Sequence, residues 1–266
     1  MWRRALEPLR ELQFVSLDSA GVSPTLRIRK EVYFERVIVD EPSDGESQLI
    51  LDLRELNNVL AHERETDALV DLGNAFYDVQ RYDKAIEAYD HAIDLDPTLA
   101  TAWYNKGLAL DSLQRYDEAA EAYREGLKRD GSAVWIWRNL ADVQVTHLHR
   151  PEEALHAIQQ AVQDEPESIR GWAIMGDVEA ARGHRDLARA AYERALALPA
   201  DDALGWYSRG RALIGLERYP DALDALNQAL ALDSENADAW HLKARALRAI
   251  GWDDEADEAE RRANEL

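Results

Sequence analysis

Three histidines, His147, His149 and His156, share a ten-residue span with Glu152 and Glu153. Imidazole nitrogens and carboxylate oxygens are metal donors, so zinc chemistry is the first to weigh. Their spacing fits no metal motif, and His147 and His149 sit in a turn just before Pro151, so they read as solvated turn residues. With 52 acids in 266 residues, close carboxylate pairs arise by chance and do not by themselves point to acid–base hydrolysis. No G-x-x-x-x-G-K-[ST], G-x-S-x-G or H-E-x-x-H is present. The segment DEPSDGES (40–47) lacks the spacing and terminal Glu of a calcium loop. The absence of cysteine excludes disulfides, thiolate metal sites and cysteine nucleophiles. We therefore expect no catalytic residues, no metal and no cofactor.

Aromatic side chains remain. Five of the eight tryptophans stand four residues ahead of a small residue, as in AWYNKG (102–107), GWAIMG (171–176) and GWYSRG (205–210). They are either a row of stacking residues for a ligand or one structural device used repeatedly. Their register decides. Leu69, Trp103, Trp137, Trp172, Trp206 and Trp240 are separated by 34, 34, 35, 34 and 34 residues. Each is followed at +4 by Gly73, Gly107, Ala141, Gly176, Gly210 or Ala244. A second series, Ala85, Ala119, Ala154, Ala188, Ala222 and Ala256, precedes Tyr89, Tyr123, Ile158, Tyr192, Leu226 and Glu260 by four residues. Several markers held in register over six units are a repeat, and residues fixed by a repeat are most economically core. Trp2, Trp135 and Trp252 fall outside the series.

Each unit predicts two helices. The first places its Trp and small residue on one face at i, i+4. The second carries a stripe of Ala, a large apolar residue and Ala at i, i+4, i+7. Turns such as QRYD (80–83 and 114–117) separate the two, and breakers such as Asp96-Pro97 and Glu165-Pro166 end the units. HLHRPEEA (147–154) explains the single step of 35 by adding one residue to the inner turn, after which Pro151 opens a helix.

This pattern resembles the tetratricopeptide repeat on its W-x3-G, A-x3-Y and following Ala positions over about residues 66–266. The expected fold is mainly α: a right-handed superhelical solenoid of six repeats (66–99, 100–133, 134–168, 169–202, 203–236 and 237–266) behind a small N-terminal α+β cap, 1–65. In the cap, 25–40 reads as a strand, 41–47 as a turn, 48–53 as the partner strand and 53–64 as a helix. Glu260 replaces the apolar member of its series in the sixth unit, as expected where no seventh unit covers it.

The resemblance implies a non-catalytic protein whose concave groove, formed by the first helix of each unit, binds a peptide or partner protein. Mapped onto this chain, the early groove positions are Asn74, Asp78, Tyr104, Asn105 and Asp111. The middle contributes Trp135, Arg138, Asn139, Asp142, Arg170 and Asp177, and the far end Tyr207, Arg211, His241 and Arg245. Tyr104, Tyr207 and Trp135 would anchor apolar groups, Asn74, Asn105 and Asn139 would bond to backbone, and Arg170, Arg211 and Arg245 would pair with ligand acids. Some relatives hold a terminal carboxylate with a five-residue clamp. Asn74 and Asn105 match its asparagines, but Val70, Trp135 and Asn139 occupy cationic positions, which argues against that ligand. A second reading is architectural, with the convex face or the N-terminal hairpin assembling homo-oligomers.

The net charge of −21 opposes general nucleic-acid binding, which depends on Lys and Arg displacing counterions. Basic residues divide into 26 Arg and 5 Lys, a balance that fits both a protein kept soluble in concentrated salt and a GC-rich genome with an ordinary acidic surface. No stretch approaches 18 apolar residues, so no membrane span is expected, and the opening MWRRALEPLREL does not read as a secretory signal. The default expectation is the cytoplasm.

Overall fold

Small residues at fixed i, i+4 spacings let two helices approach closely, and each repeat accordingly folds as an antiparallel helix pair. The computed structural model describes residues 65–266 and, at the N-terminal side, the backbone of residues 26–31 and 34–39. Two units cluster separately, Met1–Pro97 and Thr98–Leu266.

In the first unit, strands β1 (Leu26–Glu31) and β2 (Phe34–Val39) pair antiparallel, with Leu26 opposite Val39 and Glu31 opposite Phe34. The stretch expected to be one strand is thus two strands folded back on each other. β-propensity runs unbroken through 25–40 and does not mark where a hairpin reverses. The expected turn, partner strand and helix at 41–64 lie outside the described residues. Helix α1 (65–78) then packs on α2 (Tyr82–Leu95).

The second unit holds ten helices in five pairs: α3 (Ala100–Ser112) with α4 (Tyr116–Arg129), α5 (Val134–Thr146) with α6 (Pro151–Asp164), α7 (Ile169–Ala181) with α8 (Arg185–Leu196), α9 (Ala203–Gly215) with α10 (Tyr219–Leu232), and α11 (Ala237–Ala249) with α12 (Asp253–Glu265). Pro151 occupies the first turn of α6, as its fixed φ favours. Within α1–α2 and these five pairs, the alanines of the second series are essentially inaccessible, and Tyr89, Tyr123, Ile158 and Leu226 are buried to within 1%.

The glycines follow from those rings. A Cβ on Gly107 would lie 2.4 Å from Tyr123, and one on Gly176 would lie 2.3 Å from Tyr192. In the third repeat, where Ile158 replaces the ring, Ala141 is accepted and fully buried. The inner turn of each pair places one residue at positive φ: Gln80, Gln114, His149, Gly183, Glu217 and Gly251. Their spacing repeats the 34-residue period, with the extra residue falling between Gln114 and His149.

The in-register tryptophans are only half-buried, so they are clasps more than core. The indole N–H donates to the carbonyl six residues earlier: Trp137 to Gly131 (2.8 Å), Trp172 to Pro166 (2.8 Å) and Trp240 to Ser234 (3.0 Å). Each ring therefore ties its helix to the turn that ends the preceding repeat. An indole with a satisfied N–H and one wet edge is a common compromise for this side chain.

Candidate functional site

Within Thr98–Leu266, the first helices of the pairs bring a set of polar side chains together. On α5, Trp135, Asn139, Asp142 and Thr146 follow each other at spacings of four, three and four, so they share one face. Arg170 and Asp177 are placed by α7, Tyr207 and Arg211 by α9, and Tyr104 and Asp111 by α3.

Arg211 is the hub. Its guanidinium donates to Asp142 Oδ1 (2.8 Å), to Asp177 and to Thr146 Oγ1 (3.2 Å), while the side chain is only 12% exposed. Arg170 donates to the second oxygen of Asp142 (3.3 Å) and to Asn139 Oδ1 (3.0 Å). The Asn139 amide in turn donates to the Trp135 carbonyl (2.7 Å) and to Tyr104 Oη (3.3 Å). Tyr192, from α8, donates to Asp177 Oδ1 at 2.6 Å. Arg211 thus crosses from the fifth repeat to the third, over α7.

Burial works to raise the pKa of Asp142, but Arg211 and then Arg170 outweigh it and hold the carboxyl well below the usual range. Asp111 behaves in the opposite way. Burial, reinforced by the charges of Asp142 and Asp238 and only partly offset by Arg170, pushes it up to about 7. Burial also raises the Tyr207 hydroxyl. His147 stacks on Tyr116 at 4.0 Å with nearly parallel rings, and burial lowers its pKa.

Arg138 turns to the inter-repeat loop, where it bonds Glu165 and lies 3.4 Å from Ser168 Oγ. His241 pairs with Glu260 Oε1 (3.2 Å), and Arg248 donates to Oε2 of the same carboxylate at 3.1 Å. Arg245 is exposed, and Asn105 is half-buried on α3. In the first unit, Asn74 accepts a hydrogen bond from the Tyr89 hydroxyl (2.9 Å), whose pKa burial raises to about 12, with Tyr77 and the exposed Asp78 adding to the shift. Thr146 and Asp238 belong to the second unit's electrostatics although the repeat pattern does not single them out. Thr146 stands at i+4 from Asp142, the one local signal that could have found it. Among the described residues, no group of three or more His, Asp or Glu could hold a metal ion, and no helix is long and apolar enough to cross a membrane.

Twelve helices among the described residues, paired through small residues facing large ones at a period of 34, define a helix-hairpin repeat array. The chain is a tetratricopeptide-repeat protein of six repeats: one profile of that family matches residues 70–134 and 175–219, and a second matches 203–236. The unmatched stretch between them contains the 35-residue third repeat, with Ala141 and Ile158 in place of the Gly and Tyr. A tetratricopeptide-repeat protein from Parabacteroides merdae is similar in fold, with a TM-score of 0.60 and 14% identity over 84% of this chain and 89% of its own. A thermophilic repeat protein of Thermus thermophilus aligns with a TM-score of 0.55 and 23% identity, covering 70% of this chain and 98% of its own. PilF of Pseudomonas aeruginosa aligns at 0.52 and 21% identity over 74% and 90%. No curated protein matches. The family is usually non-catalytic and generally serves protein interaction.

Proposed function

We propose that this protein is a non-catalytic adaptor that binds a peptide or a segment of a partner protein along the first helices of its repeats. The observation that carries the reading is Trp135. It lies outside the repeat register, is 40% exposed, and shares a helix face with Asn139 and Asp142. An indole that the fold does not require and leaves in water is the residue type that dominates binding energy at interfaces. Beside it, Asn139, Asp142, Arg170 and Arg211 already satisfy one another. That network supplies a rigid, pre-organised floor, which lowers the ordering cost of binding. Because Arg170 and Arg211 are engaged within the chain, Arg245 is the better placed of the three arginines to receive a ligand acid. The net charge of −21 selects against nucleic acid as the partner.

The test is affinity purification with full-length protein and a Trp135→Ala variant, read by quantitative mass spectrometry and confirmed with the purified partner. A partner lost in the variant, with unchanged thermal stability, supports the reading. Equal recovery by both proteins sinks it.

A further inference from the structure

Two grooves stand at corresponding places in the array. One lies between α4 and α6 with α5 as its floor, and the other between α10 and α12 with α11 as its floor. Repeat register makes Trp137 and Trp240 equivalent, each lying in its floor. The first groove has a volume of about 430 Å³ and the second about 1060 Å³.

The first groove is closed by its own side chains. Arg124 bridges to Glu153 at 2.7 Å across the mouth, Gln144 donates to the same carboxylate at 3.2 Å, and His156 meets Trp137 edge-on at 5.5 Å. At the equivalent positions the second groove has Asn227, Glu255, Leu247 and Glu258. The crossing cation has become an amide, the histidine lid a carboxylate, and the polar floor residue a leucine. Charge inverts as well. Arg124 and Lys128 stand against one acid in the first groove, while in the second five acids, including Asp224, Glu255 and Glu258, face Lys243 and Arg262. Trp252, at the mouth, is 54% exposed.

We propose that this last groove docks an amphipathic helix of a partner protein, its apolar stripe on Trp240, Ile250 and Trp252 and its basic flanks on the acidic rim. Three observations fix the occupant. The groove runs from Pro220 and Trp252 to Ser234 and Glu265, the whole length of α12. Thirteen helical residues span about 20 Å, so a helix of equal length fills it. Apolar walls with an acidic rim are the complement of a helix with leucine-like and Lys/Arg faces. A second copy of this chain is disfavoured, because two surfaces of net charge −21 repel. This site is separate from the Trp135 face and stands or falls without it.

The experiment uses the full chain and a fluorescein-labelled Leu/Lys amphipathic peptide of about fifteen residues, with a Leu/Glu peptide of the same pattern as control. Asn227→Arg with Glu258→Lys rebuilds the closed, cationic mouth at two exposed positions. Gln163→Arg with Glu167→Lys makes the same charge change at exposed positions far from the groove. Fluorescence anisotropy should show the Leu/Lys peptide binding the wild type, weakened at least about tenfold by the groove pair and by no more than about twofold by the distant pair. Circular dichroism confirms that both variants fold. Equal losses in the two variants, stronger binding of the Leu/Glu peptide, or no binding to the wild type would each overturn the proposal. A dimer of the wild type, seen by light scattering and abolished by the groove pair, would also overturn it by making the occupant a second copy.

Discussion

Replacing Arg211 with methionine removes one guanidinium that serves three partners on two other helices. Asp142 keeps Arg170 at 3.3 Å and Thr146 at 3.1 Å, whereas Asp177 keeps only the Tyr192 hydroxyl. Breaking a fully buried pair from one side costs about 3–5 kcal/mol because a charge is stranded. Here 20% of Asp142 and 25% of Asp177 still reach solvent, so about 2–3 kcal/mol is expected at pH 7. The pH dependence has a definite sign. In the wild type the depressed pKa of Asp142 contributes stability above the unfolded value of about 3.9, lost as pH falls through the lower folded one. In the variant the carboxyl loses its largest counter-charge and burial raises its pKa, so acidification relieves it. Urea titration at pH 7 and pH 4.5 should therefore show a deficit that shrinks in acid. Adding Asp142→Asn to the variant should recover part of the loss at pH 7. A deficit under about 0.5 kcal/mol, or one indifferent to pH, would refute the hub role of Arg211.

Three further outcomes are expected. Gly107→Ala drives a methyl into the Tyr123 ring and should lower stability by about 1–3 kcal/mol; adding Tyr123→Ile, which copies the third repeat, should restore much of it in the same titration. Gln114, at φ +59°, sits in the left-handed region, so Gln114→Gly should raise the thermal midpoint by the equivalent of about 1 kcal/mol. Asp111 has a folded pKa above its unfolded one, so it costs stability as pH rises from about 4 to 7. Asp111→Asn should thus stabilise by about 1–3 kcal/mol at pH 8 and change little at pH 4.5, compared by urea midpoints.

The repeat was legible because its markers are enforced locally, by helix contacts at i, i+4 and by rings that demand a facing glycine. The 35-residue third repeat was legible for the same reason, through Pro151 and the lengthened turn. The half-burial of the tryptophans was not, since whether an indole is sealed or clasps a turn depends on the neighbouring repeat's loop. The groove assignments show the same boundary. Helical spacing put Asn139, Asp142, Arg170, Asp177 and Arg211 on the first helices, but their mutual pairing depends on how far successive repeats rotate. A hint lay in the sequence all the same: Asp142, Asp177 and Arg211 each directly follow the small residue of their repeat, so they align along one row with opposite charges. The N-terminal hairpin shows the limit of propensity, which counted strand residues in 25–40 without locating the reversal.

The proposed binding mode assigns the repeated tryptophans to the scaffold and the off-register aromatic face to the partner. Trp135 and Trp137 stand two residues apart on α5 and face differently, one exposed and the other hydrogen-bonded to the Gly131 carbonyl. The decisive measurement pairs urea stability with partner affinity, by calorimetry, for Trp135→Ala and Trp137→Ala. Trp137→Ala should lose about 2–4 kcal/mol of stability with affinity intact wherever it remains folded. Trp135→Ala should keep its stability and lose at least about tenfold in affinity. Loss of affinity confined to Trp137→Ala, or a Trp135→Ala variant that unfolds, would contradict it.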